Sequence, residues 1–204
     1  MIFIICATYN KGMKNTINID KYRLQDIEFH GNKWEFIYSL MYLKYQNKIN
    51  ILEIGNGNYS LLFGITSELK DRTKKILSID VLNKFKQGEK EFYEKKRIFS
   101  ALSERNDGFV EHFQGDAFAN DILKVARKLF LEDEIGLFVI EYMVNDEYMD
   151  SIFDTYDFYF SENIDIYYHN LKKSEHSIKY FEKISNGKKK VILDNGNGTG
   201  IIKI

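Results

Sequence analysis

Ile49-Asn50-Ile51-Leu52-Glu53-Ile54-Gly55-Asn56-Gly57-Asn58-Tyr59-Ser60 is the stretch from which the rest of the chain is read. A short apolar run closed by glycine is the pattern of a strand buried on both faces, as in parallel sheets covered by helices. Glycines at 55 and 57 let the backbone turn tightly and approach a ligand closely, with turn N–H groups exposed. The same pair also serves a plain strand-to-helix turn, so both readings stay open here. A dinucleotide fold would place a third glycine where this chain has Ser60. Glu53 is an acidic group within an apolar strand, and its burial is costly unless it meets a cation or hydrogen-bond donors. An α-ammonium group on a ligand would meet that need.

Outward from this strand, helix and strand patterns alternate. Upstream, Trp34, Ile37, Tyr38, Met41, Tyr42 and Tyr45 fall on one stripe of an amphipathic helix, with Asn32 and Glu35 as a capping pair. Downstream, Leu61, Leu62, Ile65 and Leu69 predict a helix that tolerates Gly64, and Lys75 to Val81 reads as a second buried strand. Residues 84 to 106 are densely charged with interleaved aromatics and predict a solvated helix or two. Val110 to Gln114 is a weaker strand, a helix starts at Asn120, and Ile135 to Glu141 is a third buried strand. Tyr156 to Phe160 is ambiguous, and Ile164 to His169 reads as a further strand. Ser174 caps a helix carrying Ile178, Phe181 and Ile184, and Lys190–Asp194 and Thr199–Ile204 are two strands joined by a glycine-rich turn. Such alternation predicts an α/β fold with a doubly wound, mostly parallel sheet and a C-terminal antiparallel hairpin. Residues 1–33 are expected to be an N-terminal extension and 34–204 the single domain.

Length and composition fit this. The chain has 204 residues, 44% hydrophobic and 29% charged, which allows a sizeable core and excludes global disorder. Lysine and arginine total 29 against 30 acidic residues, so no basic field awaits a phosphate backbone and nucleic acid is not the expected partner. The apolar start, Met1 to Ala7, has no positive leader and is too short to span a bilayer, and no other stretch approaches the ~20 residues required. A cytoplasmic location without membrane association is expected. The single cysteine, Cys6, cannot form an internal disulfide and fits a reducing compartment. The absence of proline carries no functional reading.

In an open α/β sheet, ligands bind outside the carboxyl ends of the strands. Asp80 ends the second strand 23 residues after Gly57, which suits an acidic group accepting from ribose hydroxyls. An aspartate capping the next helix is the plainer alternative. Gly115-Asp116-Ala117-Phe118 offers a carboxylate and backbone amides to an adenine edge, with an apolar face beside them.

Together, Ile51 to Gly57, Ile79-Asp80 and Gly115-Asp116-Ala117 resemble the successive cofactor motifs of class I S-adenosylmethionine-dependent methyltransferases. Phe29 to Glu35, Ile166 to Asn170 and the Asn195–Gly200 turn are similar to segments of the small-molecule O-methyltransferases related to the cephalosporin hydroxylase and macrolide-sugar enzymes. The resemblance spans residues 29 to 204 and implies a Rossmann-like domain binding S-adenosyl-L-methionine. It implies that Glu53, Gly55 and Gly57 hold the methionine part, Asp80 the ribose, and Asp116 and Ala117 the adenine, with Asn56, Ser60 and Val81 as further cofactor-binding residues. The expected acceptor is a small-molecule hydroxyl, a sugar among the candidates. Relatives carry aspartates where this chain has Glu141 and Asn170, and in metal-dependent members those aspartates bind magnesium. A neutral amide is a weaker ligand for a hard cation, which leaves magnesium open.

Methyl transfer from a sulfonium to a hydroxyl requires alignment and a sink for the proton. His169 is the candidate base because its ordinary pKa lies near neutrality, with a histidine bonded into the following loop as the alternative. Glu141 is a second catalytic candidate, as base, metal ligand or cofactor contact. Asp146, Glu147 and Asp150 read as a solvated face. His30 reads as a loop residue at the substrate entrance or a helix cap, and His112 and His176 receive no role. The tyrosines at 156, 159, 167 and 168 read as core and cleft lining or as an aromatic wall for a sugar. Two rivals remain: a cofactor-binding protein with altered or lost chemistry, and another nucleotide-dependent enzyme such as a dehydrogenase or sugar-nucleotide transferase.

Overall fold

In the computed structural model, residues 50–55, 75–82, 88–105, 110–131, 134–141, 144–193 and 198–204 are described. They form seven strands, β1 (Asn50–Ile54), β2 (Ile76–Asp80), β3 (Val110–Gln114), β4 (Ile135–Ile140), β5 (Phe160–His169), β6 (Lys189–Leu193) and β7 (Thr199–Lys203). Four helices accompany them: α1 (Lys90–Arg105), α2 (Asn120–Phe130), α3 (Asp146–Tyr156) and α4 (Glu175–Ile184). The strands make one sheet in the order β3-β2-β1-β4-β5-β7-β6. β1 pairs in parallel with both β2 and β4, so the chain runs outward from β1 to one edge and returns on its other side. The gap between the β1 and β4 carboxyl ends is therefore the topological switch point, where such sheets open a ligand crevice.

Alternation along the strands divides their residues between two faces. Leu52, Ile54, Leu77, Ile79, Phe138 and Ile140 join one buried cluster with the apolar stripes of α2, α3 and α4. Burying each such side chain contributes about 1.5–3 kcal/mol, which holds the three helices on this face. The intervening positions Glu53, Ser78 and Asp80 are also buried but lie on the other face. There α1 stacks Phe99 on His112 of β3, with centroids 4.5 Å apart, and His112 Nδ1 lies 3.0 Å from Ser78 Oγ.

Several details differ from the expectations. One helix is described within the charged segment 84–106, and it is not simply solvated, because Lys95, Ile98 and Phe99 are buried. The ambiguous Tyr156–Phe160 stretch is the end of α3 and a 3-10 turn, Asp157–Tyr159, and β5 starts at Phe160 rather than 164. The C-terminal hairpin is the expected antiparallel edge, with β7 between β5 and β6. Gly200 permits this, since a Cβ there would press into the Phe181 ring of α4. The expected helices at 34–45 and 61–69, the 33/34 domain boundary and the turn at 195–197 lie outside the described residues.

Candidate active site

At the switch point, Glu141 N donates to Ile54 O at 3.0 Å and Gly55 N donates to Ile79 O at 3.0 Å, which locks the ends of β1, β2 and β4 together. Two acidic side chains meet there. A Cβ built on Gly55 would stand 2.7 Å from Glu141 Cβ, 2.7 Å from Glu141 Oε2 and 3.1 Å from Glu53 Oε1. Glycine at 55 is thus required by close approach: its missing side chain is the space into which both carboxylates turn. Glu53 and Glu141 are both buried. Carboxylates so placed hold their charge only against cations or hydrogen-bond donors.

β5 joins this edge through Asn170, whose side-chain Nδ2 donates to Glu141 O at 3.2 Å. Asn170 has φ 57, a left-handed conformation that asparagine tolerates better than most residues. The preceding His169 is the last residue of β5, buried and paired with Thr199 of β7. The His169-Asn170 pair thus stands beside Glu141. Tyr167 is buried on the same side of β5 as His169, while Tyr168 packs edge-on against Phe181 in the core on the other.

Asp80 is buried at the end of β2, followed by the half-buried Val81. Its carbonyl accepts from Gly115 N at 3.1 Å, and Gly115 takes φ +150, so the β3 turn is drawn alongside. In that turn Phe118 N donates to Asp116 Oδ1 at 3.2 Å. Two tyrosines of α3 complete it. Tyr148 OH donates to Asp116 Oδ1 and accepts from Ala117 N, each at 3.1 Å, and Tyr156 OH donates to Ala117 O at 2.8 Å. Burial raises both phenol pKa values, and the Asp116 carboxylate raises that of Tyr148 further against the opposing effect of the Ala117 amide, so both phenols stay protonated at neutral pH. Sequence reasoning placed neither tyrosine at the Asp116–Ala117 turn. The available signal was the helical spacing of Tyr148, Ile152 and Tyr156 after the cap Asn145, whose side chain accepts from Tyr148 N at 2.8 Å.

Asn56, Gly57 and Ser60 lie outside the described residues. Asp146 and Asp150 are not merely solvated: Asp146 faces the exposed His176 at 3.2 Å, and Asp150 accepts from Tyr180 OH at 3.0 Å and Lys183 Nζ at 2.6 Å. His112, given no role from sequence, is a buried histidine whose pKa is pushed down to about 3 by burial and by the nearby Lys95 ammonium. Among the described residues no three His, Cys, Asp or Glu side chains gather as a metal ion would require, and the Asn170 amide is turned to the backbone of Glu141.

Several solved structures that share this fold are assigned as methyltransferases. A Staphylococcus aureus protein assigned as a caffeoyl-CoA O-methyltransferase superposes with a TM-score of 0.62 over 98% of this chain and 97% of its own, at 14% identity. The fold is that of the class I methyltransferases. A Klebsiella pneumoniae protein assigned as an O-methyltransferase gives 0.60 over 97% and 94% of the two chains at 10% identity. An apo TDP-rhamnose 3'-O-methyltransferase of calicheamicin biosynthesis gives 0.59 over 95% and 88% at 12% identity. No family model and no curated protein matches the sequence. Within the methyltransferase fold, Glu53, Gly55, Asp80, Asp116 and Glu141 all lie at the carboxyl ends of β1 to β4. Among the described residues no helix is long and apolar enough to cross a membrane.

Proposed function

We propose that this chain binds S-adenosylmethionine across the carboxyl ends of β1 to β4 and transfers its methyl group to a hydroxyl of a small molecule, sugar hydroxyls foremost. The observation that carries the reading is the pair of buried carboxylates, Glu53 and Glu141, converging on Gly55 at the switch point. S-adenosylmethionine, when bound, supplies an electrophilic methyl on a sulfonium and carries a second positive charge on its α-ammonium. Glu53 and Glu141 would face this cationic half. Asp80 would accept from the ribose hydroxyls, and Asp116 with Ala117 N offers an acceptor and a donor that match the N6 and N1 positions of an adenine edge.

His169 would take the acceptor's proton as the oxygen–carbon bond forms and the sulfur–carbon bond breaks, leaving a methyl ether and the neutral thioether. Its place beside Glu141 and Asn170, at the end of β5, supports that role. The remaining work is alignment and exclusion of water, which can lower a barrier by roughly 7–11 kcal/mol. The likeness to an O-methyltransferase of a nucleotide-linked sugar favours hydroxylated acceptors.

Incubation of the full chain with methyl-labelled S-adenosylmethionine and a panel of sugars, sugar nucleotides and phenols tests this. Labelled methyl ether in step with S-adenosylhomocysteine is the expected result. Binding without transfer to any acceptor would favour a cofactor-binding protein with lost chemistry.

A further inference from the structure

The nucleobase end of the site is already filled by a side chain of the protein. Ala117 N and Asp116 Oδ1 are a donor and an acceptor side by side on one turn, and the hydroxyl of Tyr148 satisfies both, each at 3.1 Å. A phenol presents one O–H donor and one lone-pair acceptor from a single atom. An adenine edge presents the same two functions from N6 and N1, so the two cannot occupy this turn together. Phe118 stands beside the phenol, with ring centroids 5.1 Å apart and planes at 65°, and offers the apolar contact that a purine face would use. Tyr148 is half-buried, in the first turn of α3, and side chains of this kind exchange between staggered rotamers.

We infer that Tyr148 is an adenine-edge mimic that closes the nucleobase subsite of the cofactor-free chain and must swing aside for an adenosyl group to bind. The inference rests on the adenosyl reading of the site given above. Its consequence is a lowered apparent affinity: a ligand that binds only the open form is weakened by the fraction of chains that are open. Tyr156 is the internal contrast, because its hydroxyl grips the Ala117 carbonyl, which an adenine edge does not use.

The test compares S-adenosylhomocysteine binding to the full wild-type chain, Tyr148→Phe and Tyr156→Phe by calorimetry. Tyr148→Phe removes the competing hydrogen bonds and keeps the ring, so its affinity should rise about three- to tenfold, the equivalent of about one net hydrogen bond. Tyr156→Phe should lose thermal stability without any gain in affinity. In the ultraviolet difference spectrum, wild type should show a tyrosine perturbation on ligand binding that Tyr148→Phe lacks. Binding to all three chains with unchanged or weaker affinity in Tyr148→Phe would overturn the latch and make Tyr148 a positioning residue for Asp116. Absence of binding to every chain would overturn the adenosyl reading itself.

Discussion

Replacing Gly55 with alanine tests the proposed site for the cationic half of the cofactor at its narrowest point. The new Cβ would lie 2.7 Å from Glu141 Cβ and Oε2 and 3.1 Å from Glu53 Oε1, whereas ordinary contact begins at 3.4 Å. The carboxylates must therefore retreat by several tenths of an ångström. Gly55 takes no positive φ, so the backbone accepts alanine and the cost falls on packing, about 1–3 kcal/mol of stability. For the ligand, displacement costs a charge-assisted contact, about 1.5–3 kcal/mol, or roughly tenfold to a hundredfold in affinity. The informative comparison is between S-adenosylhomocysteine and adenosine, which lacks the amino-acid half. Calorimetry on Gly55→Ala, with circular dichroism to show that it is folded, should find the first weakened by that factor and the second nearly unchanged. Equal weakening of both, or of neither, would refute the claim that the two carboxylates face the amino-acid half.

Other residues make separable predictions. Asp80→Ala should weaken S-adenosylhomocysteine by about 1–3 kcal/mol in a folded chain, read by the same titration. His169→Ala should depress methyl transfer about a hundredfold or more while changing S-adenosylhomocysteine affinity little, and equal turnover would remove it as the base. His112 is neutral in the folded chain down to about pH 3, whereas the unfolded chain binds that proton near pH 6.5. Stability is thus complete above pH 6.5 and falls with decreasing pH by up to about 1.4 kcal/mol per unit, and urea unfolding should show a shallower slope in His112→Phe. Gly200→Ala should drive a methyl into the Phe181 ring and cost about 1–3 kcal/mol, measured as a lowered thermal midpoint.

The parallel sheet was legible because burial on both faces leaves a plain mark: Ile51 to Ile54, Ile76 to Asp80 and Ile135 to Ile140 are near-continuous apolar runs. The acidic strand ends were legible for the complementary reason, since Glu53 and Asp80 break those runs. What remained hidden depends on partners distant in the chain. Glu141 and Glu53 meet across Gly55 only because β4 returns beside β1, and nothing local to either residue shows it. Tyr148 reaches Asp116 across 32 positions, and within α3 it looks like any other residue of an amphipathic stripe. Composition presents the charged segment 84–106 as solvated because it does not reveal that α1 buries Lys95 whole, together with Ile98 and Phe99.

The central claim is that an adenosyl sulfur compound binds across the carboxyl ends of β1 to β4, and titration calorimetry addresses it directly. Purified full-length chain is titrated with S-adenosylmethionine and with S-adenosylhomocysteine, each with and without magnesium, and with NAD as control. The account predicts saturable binding of both sulfur nucleosides and none of NAD. Folded protein that binds neither sulfur nucleoside, or that binds NAD in their place, would contradict it.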